Sequence, residues 1–190
     1  MNLTDLLESA GGSESIGKLA AQFGLDKADA SKLIGALSPA LVKGMQKQTA
    51  SPETRAGLEQ AIQSEKHQRY LDEPDRLADE DARQDGNGIL GHLFGSKDVS
   101  RAVAARAAED TGIDASLIKK ALPIVAGLAM GAMGRKARAE GGNGGGLGAL
   151  AGLLAGSDGK FDLDDVRNVA GKFFQRFGAR PAARTGLRPP

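Results

Sequence analysis

Four side chains carry the groups from which an acid–base or metal site could be assembled: His67, Tyr70, Asp72 and His92. Two imidazoles and a carboxylate can ligate a transition ion if the fold brings them together. Cysteine is absent and these are the only two histidines, so disulfides, thiolate catalysis and cysteine-based metal sites are excluded. Spacing along the chain does not bring the four residues to one point. The simpler reading has each histidine bonding a nearby carbonyl or closing a helix end, with Tyr70 and Asp72 locking a turn before Pro74. No set of nucleophile, base and orienting group can be assembled, so no catalytic residue, metal or cofactor is assigned and the chain reads as a non-enzyme.

Three further stretches could carry a binding function. LAAQFGLDKADASKLI, within residues 19–34, has the glycine corner of a DNA-binding helix-turn-helix. Its second helix opens with Asp26, Lys27, Asp29 and Lys32, a balanced surface where phosphate contact needs a basic one, so nucleic acid is disfavoured. Asp158, Asp162 and Asp165 fall at calcium-loop positions around Gly159, but Leu154 and Gly156 occupy the first two carboxylate positions. Those acids read instead as a cap on a final helix. Phe173, Phe174 and Phe177 hold three of the six phenylalanines on one face of that helix, which must be covered by the bundle or by another copy.

The elements around these residues follow from apolar spacing. From Ala121 to Gly134 no charged residue occurs, which predicts a helix buried on every side. Lys120 and Arg135 bound that run short of the 17 to 25 apolar residues of a membrane span. Pro123 should kink this helix or stand in its first turn. Gly127, Gly131 and Gly134, among alanines, leave a small-residue surface for close helix packing. A preceding helix ends near Thr111, Gly112 closes it, and Asp114 caps the next. Residues 16–45 repeat this grammar at Gly24, Asp26 and Pro39, which suggests a weak internal repeat of helical pairs.

Between the copies, Ser51 and Pro52 start a helix with Leu58, Ala61 and Ile62 inward. Residues 72–85 hold seven acids and read as an exposed connector. Asp85-Gly86-Asn87-Gly88 reads as a turn, with Asn87 a structural residue of it.

The blocks FGLDKADASKLIGALSPAL, HQRYLDEPDRL, DGNGILGHLFGSK and TGIDASLIKKALPIVAGLAMG, within about residues 16–134, resemble a bacterial family of unknown function, the YidB-like proteins or domain of unknown function 937. The resemblance implies a compact bundle with one helix surrounded by the others, and it brings no activity or catalytic residue with it.

The class is therefore all-α: a compact multi-helix bundle around a central apolar helix. Residues 1–140 form the bundle, 141–146 a glycine-rich linker, 147–177 a C-terminal helical segment and 178–190 a disordered basic tail. With 25 basic and 24 acidic residues the net charge is +1, which exerts no global pull on nucleic acid or membrane. The opening MNLTDLLESAGG has no signal-peptide core, so the location reads as cytoplasmic. The expected role is protein interaction or self-association, the partner being an unknown protein or a second copy. DNA association through the helical corner and the basic tail is the alternative.

Overall fold

The computed structural model describes residues 2–139. Phe173, Phe174 and Phe177, the glycine-rich run 141–146, the degraded calcium loop and the basic tail lie outside the described residues. Eight α-helices and one 3-10 helix are present among those described: α1 (Leu3–Ser9), α2 (Ser13–Phe23), α3 (Lys27–Gln48), α4 (Pro52–Gln63), α5 (Glu65–Asp72), the 3-10 turn Pro74–Ala78, α6 (Glu80–Phe94), α7 (Lys97–Thr111) and α8 (Ala115–Ala139). The all-α class is thus established.

Helix α8 is the axis of the bundle and packs against all seven of the others. Every residue from Ala121 to Gly134 is buried, as expected of a segment with no polar face. By length and composition alone α8 could also cross a bilayer, which corrects the sequence argument that its charged flanks leave it too short. Here 83% of its most apolar window is covered by the rest of the chain. Pro123 neither breaks nor starts the helix, because α8 runs continuously through it. The missing amide costs about 3 kcal/mol in an isolated helix, and the enclosing helices offset it by burying the segment completely.

Three neighbours approach α8 so closely that only hydrogen fits between the backbones. A Cβ on Gly86 of α6 would lie 1.9 Å from the Pro123 carbonyl oxygen. One on Gly131 would lie 2.4 Å from that of His67 in α5, and one on Gly134 would lie 2.3 Å from that of Ile62 in α4. The small residues of α8 therefore set how deeply α4, α5 and α6 seat.

The two helical corners share their local chemistry. Gly24 (φ 65°) and Gly112 (φ 75°) are left-handed and close α2 and α7. Asp26 and Asp114 then cap α3 and α8, accepting from Asp29 N at 2.7 Å and from Ser116 N at 2.8 Å.

The region from 64 to 88 departs from the sequence reading. Ser64 ends α4 and caps α5, so Tyr70 and Asp72 belong to a helix and not to a turn. The acidic stretch is exposed as expected at Asp72, Glu73, Asp75, Asp79, Glu80 and Asp81, but it is largely helical: Glu80 and Asp81 occupy the first turn of α6, where the positive end of the helix favours them. Asp85-Gly86-Asn87-Gly88 is the middle of α6. Glycine is a poor helix former, but the crossing at Pro123 requires it at Gly86.

Candidate functional site

The residues with chemical potential gather at the junction of α4, α5 and α6, with one member the sequence reading placed in a solvated run. Asp85 stands one turn beyond Ala82 and one turn before Ile89, both buried on α6, and its side chain is only 8% exposed. Its Oδ2 accepts from the Tyr70 hydroxyl at 2.5 Å and from Arg69 Nη2 at 3.4 Å. Its Oδ1 pairs with the Lys66 ammonium. Arg69 also donates to the Tyr70 oxygen at 3.1 Å and lies 5.1 Å from the centre of that ring. The cluster ties α5 to α6.

Electrostatics follow from this geometry. Burial acts to raise the Asp85 carboxyl, but the hydrogen bonds from Lys66 and Tyr70 outweigh it and hold it below the ordinary carboxylate value. Burial, with the bond to Asp85, pushes the Tyr70 phenol up. Asp85 is occupied by three donors, so it serves as an anchor and is not free to take a proton from a substrate. Tyr70→Phe, which removes one hydrogen bond, should cost about 1 kcal/mol of unfolding free energy. Asp85→Ala, which leaves two cations and a buried hydroxyl without their acceptor, should cost about 3 kcal/mol. Urea denaturation of the two variants checks the order, and equal losses would show that the carboxylate does not hold the cluster together.

His67 and His92 both line one groove. His67 is 9% exposed, and its Nδ1 lies 3.2 Å from the Ala61 carbonyl. A carbonyl only accepts, so Nδ1 carries the proton. His92 is exposed on α6, and its backbone carbonyl accepts from Gln48 Nε2 at 2.6 Å. Asp72 lies apart from both, paired with Arg135 of α8. Asn87 is on a different side of α6, in a second groove of about 640 Å³ with Lys97, Arg101 and Lys119. No group of three or more histidine, cysteine or acidic residues placed to hold a metal ion occurs among the described residues.

His67 makes stability depend on pH. Burial lowers its pKa, while the Ala61 carbonyl and the Asp85 charge work the other way. The unfolded chain therefore takes up a proton first, near the ordinary 6.5. Stability is greatest above that pH and falls below it, levelling once the folded histidine also protonates. Asp85 adds a second loss at lower pH, since its contribution is present above 3.8 and disappears as pH falls through its folded value. His67→Gln should remove the first step and leave the second, as measured by melting temperature from pH 8 to pH 3. An unchanged profile would contradict the assignment.

The groove has a volume of about 700 Å³ and runs between α4 and α6, with Met130 of α8 also lining it. At one end, Gln48 joins the N-terminus of α4 to the C-terminal turn of α6, through Thr54 Oγ1 donating to its carbonyl at 2.7 Å and its own bond to His92. At the other end stand Ala61, Lys66, His67 and Asp85. The two helices therefore run antiparallel along its walls. Leu58, Ile89 and Leu93 supply its apolar lining. Gly57 and Gly88 sit in opposite walls, and a Cβ on either would meet nothing within 4 Å. Neither glycine is required by packing, and each leaves the groove without a side chain.

The fold and this site define a class: an all-α bundle wound around one buried helix, with a side groove at one end of which Lys66, His67 and Asp85 are engaged in holding its walls. The chain belongs to the bacterial family of proteins of unknown function DUF937, whose model matches residues 5–136. No curated protein and no solved structure matches the chain.

Proposed function

We propose that this chain is a non-catalytic helical protein of the cytoplasm that acts by binding a protein partner or a second copy of itself, and that the groove between α4 and α6 is its binding seat. The observation that carries the reading is the pair Gly57 and Gly88. A glycine within a helix costs about 1 kcal/mol relative to alanine, and neither position has a neighbour that a side chain would strike. Their effect is to keep an apolar-lined channel open between two helices, the shape that receives another helix. The Asp85 cluster supports the same reading, since its groups are spent on one another. DNA association draws less support: exposed Lys27 and Lys32 stand beside exposed Asp26, whose carboxylate is already committed to the α3 cap.

Filling the groove tests the reading. Gly88→Arg adds a side chain where space is open, so the bundle should remain folded. A photoreactive residue at Gln60, on the groove wall, should give a discrete protein adduct in cells expressing the full chain. The adduct should disappear in Gly88→Arg while the melting temperature holds. Adducts unaffected by Gly88→Arg, or a protein–nucleic acid adduct formed instead at Lys32, would overturn it.

A further inference from the structure

We propose that the second groove, walled by α6, α7 and α8, binds a small organic phosphate, with the phosphoryl group among Lys97, Arg101 and Lys119 and the organic remainder over Leu90, Leu122 and Pro123. This site lies on a different side of α6 from the groove shared with α4 and does not depend on the role given to that groove.

Each of the three helices turns one face to this groove. On α6, the lining residues Asn87, Leu90 and Gly91 stand at i, i+3 and i+4. Lys97, Ser100 and Arg101 repeat that spacing on α7, and Lys119, Leu122 and Pro123 repeat it on α8. Residues so spaced share one side of a helix. The three sides converge on a volume of about 640 Å³, within the range of about 300 to 1,000 Å³ usual for small-ligand clefts. Leu90, Leu122 and Pro123 are buried and form an apolar floor, whereas Lys97, Arg101 and Lys119 are exposed and form a cationic rim. Gly91 is exposed in the middle of this wall, and a Cβ there would meet nothing within 4 Å. Glycine is unfavourable in a helix, and packing does not ask for it at this position. Its effect is to leave the groove unobstructed.

Charge decides the class of ligand. Three cations and no acid line the groove, in a chain whose net charge is only +1. Among the described residues only Arg101 of the three is in an ion pair, with Asp98 at 2.7 Å, and both partners are more than half exposed. Such a pair contributes little in water, so the guanidinium is available to a phosphate, which it can hold by two parallel hydrogen bonds. Asp114, whose charge interacts with Lys119, is occupied by the Ser116 and Leu117 amides at the start of α8. At the corner between α6 and α7, Ser96 Oγ accepts from Val99 N at 3.3 Å and keeps its own proton to donate to an anion. A nucleic-acid backbone needs bases spread along a surface. Arg83 is paired with Glu80, and Arg106 with Glu109 and Asp110, which interrupts any such run along α6 and α7. The arrangement therefore suits a small phosphate ester better than a polymer.

The full chain, labelled with nitrogen-15, is titrated with inorganic phosphate and with phenyl phosphate at constant ionic strength. Amides of Gly91, Gly95, Lys97, Ser100 and Lys119 should shift together and saturate. Phenyl phosphate should bind with a Kd at or below about 1 mM, and more tightly than inorganic phosphate because its ring covers the apolar floor. Lys97→Gln combined with Lys119→Gln should weaken binding by at least about tenfold. Gly91→Tyr, which fills the groove without changing its charge, should weaken it as much while the melting temperature does not fall. Lys27→Gln combined with Lys32→Gln removes the same charge at the α2–α3 corner and should leave the affinity within about twofold of the parent. Shifts that fail to saturate, that spread over the surface, or that respond equally to the two double variants would overturn the proposal. Phenyl phosphate binding no tighter than inorganic phosphate would overturn it too. Two further titrations, with phosphatidylglycerol vesicles and with a single-stranded oligonucleotide, identify the source of the phosphate. Tighter binding of either than of phenyl phosphate, lost on replacing Lys97 and Lys119, would assign the groove to a membrane or a polymer and overturn the small-molecule proposal.

Discussion

Gly131→Ala and Gly86→Ala are each expected to abolish or severely weaken cooperative folding. The added methyl would stand 2.4 Å from the His67 carbonyl oxygen in the first case and 1.9 Å from the Pro123 carbonyl oxygen in the second. Both obstacles are backbone, so no side-chain rotation relieves the clash. Relief requires α5 or α6 to move outward along α8, opening the most heavily buried contacts of the bundle. Overpacking a core costs about 1 to 3 kcal/mol even where side chains can shift, and here a rigid helix must move. The loss should therefore exceed about 3 kcal/mol, a large part of the 5 to 15 kcal/mol typical of a domain. Gly88→Ala is the internal control: it lies two residues from Gly86 with open space around it, and alanine there should be neutral or stabilising by up to about 1 kcal/mol. Circular dichroism melts of the three variants test the contrast. A Gly86→Ala protein that melts like its parent would show that α6 does not cross α8 at Pro123.

Val125→Asp should be as damaging for a different reason. Val125 is fully buried, and no charged residue occurs on α8 between Lys120 and Arg135. A carboxylate there has no partner supplied by its own helix and no water, a situation that costs several kcal/mol whether it stays charged or takes up a proton. The helix that carries it is the one all the others pack against, so local adjustment offers little relief. The expected result is a chain without a cooperative thermal transition. A melt as sharp as that of the parent would place Val125 at a surface.

The sequence and the structure agree most closely where one signal dominates. Fourteen consecutive uncharged residues can only be an enclosed helix in a water-exposed fold, and Gly112 with Asp114 leaves little choice for the corner before it. The disagreement lies in Asp85-Gly86-Asn87-Gly88, whose residue types are those of a turn. Tertiary packing overrides that preference, because α6 can touch Pro123 only if residue 86 lacks a side chain. Reading a turn there cut the helical stripe of Ala82, Gly86, Ile89, Leu90 and Leu93 in two. It thereby hid Asp85, which borders that stripe and becomes the anchor for Lys66, Arg69 and Tyr70. The stripe itself was the available signal. The partition of His67 from Asp72 was not legible, because it depends on where Arg135 and Ala61 lie in three dimensions. The groove was not legible for the same reason: Gly57 and Gly88 are 31 positions apart, and only the antiparallel run of α4 and α6 puts them in opposite walls.

The measurement that bears most directly on the account is amide hydrogen exchange of the full chain in water at neutral pH. If α8 is the enclosed axis, the amides from Ile124 to Met133 open only when the whole bundle unfolds. Those of α4, which buries only Leu58 and Ile62, open locally and exchange at least about a hundredfold faster. Exchange of the α8 amides as fast as those of α4 would contradict the central place given to that helix.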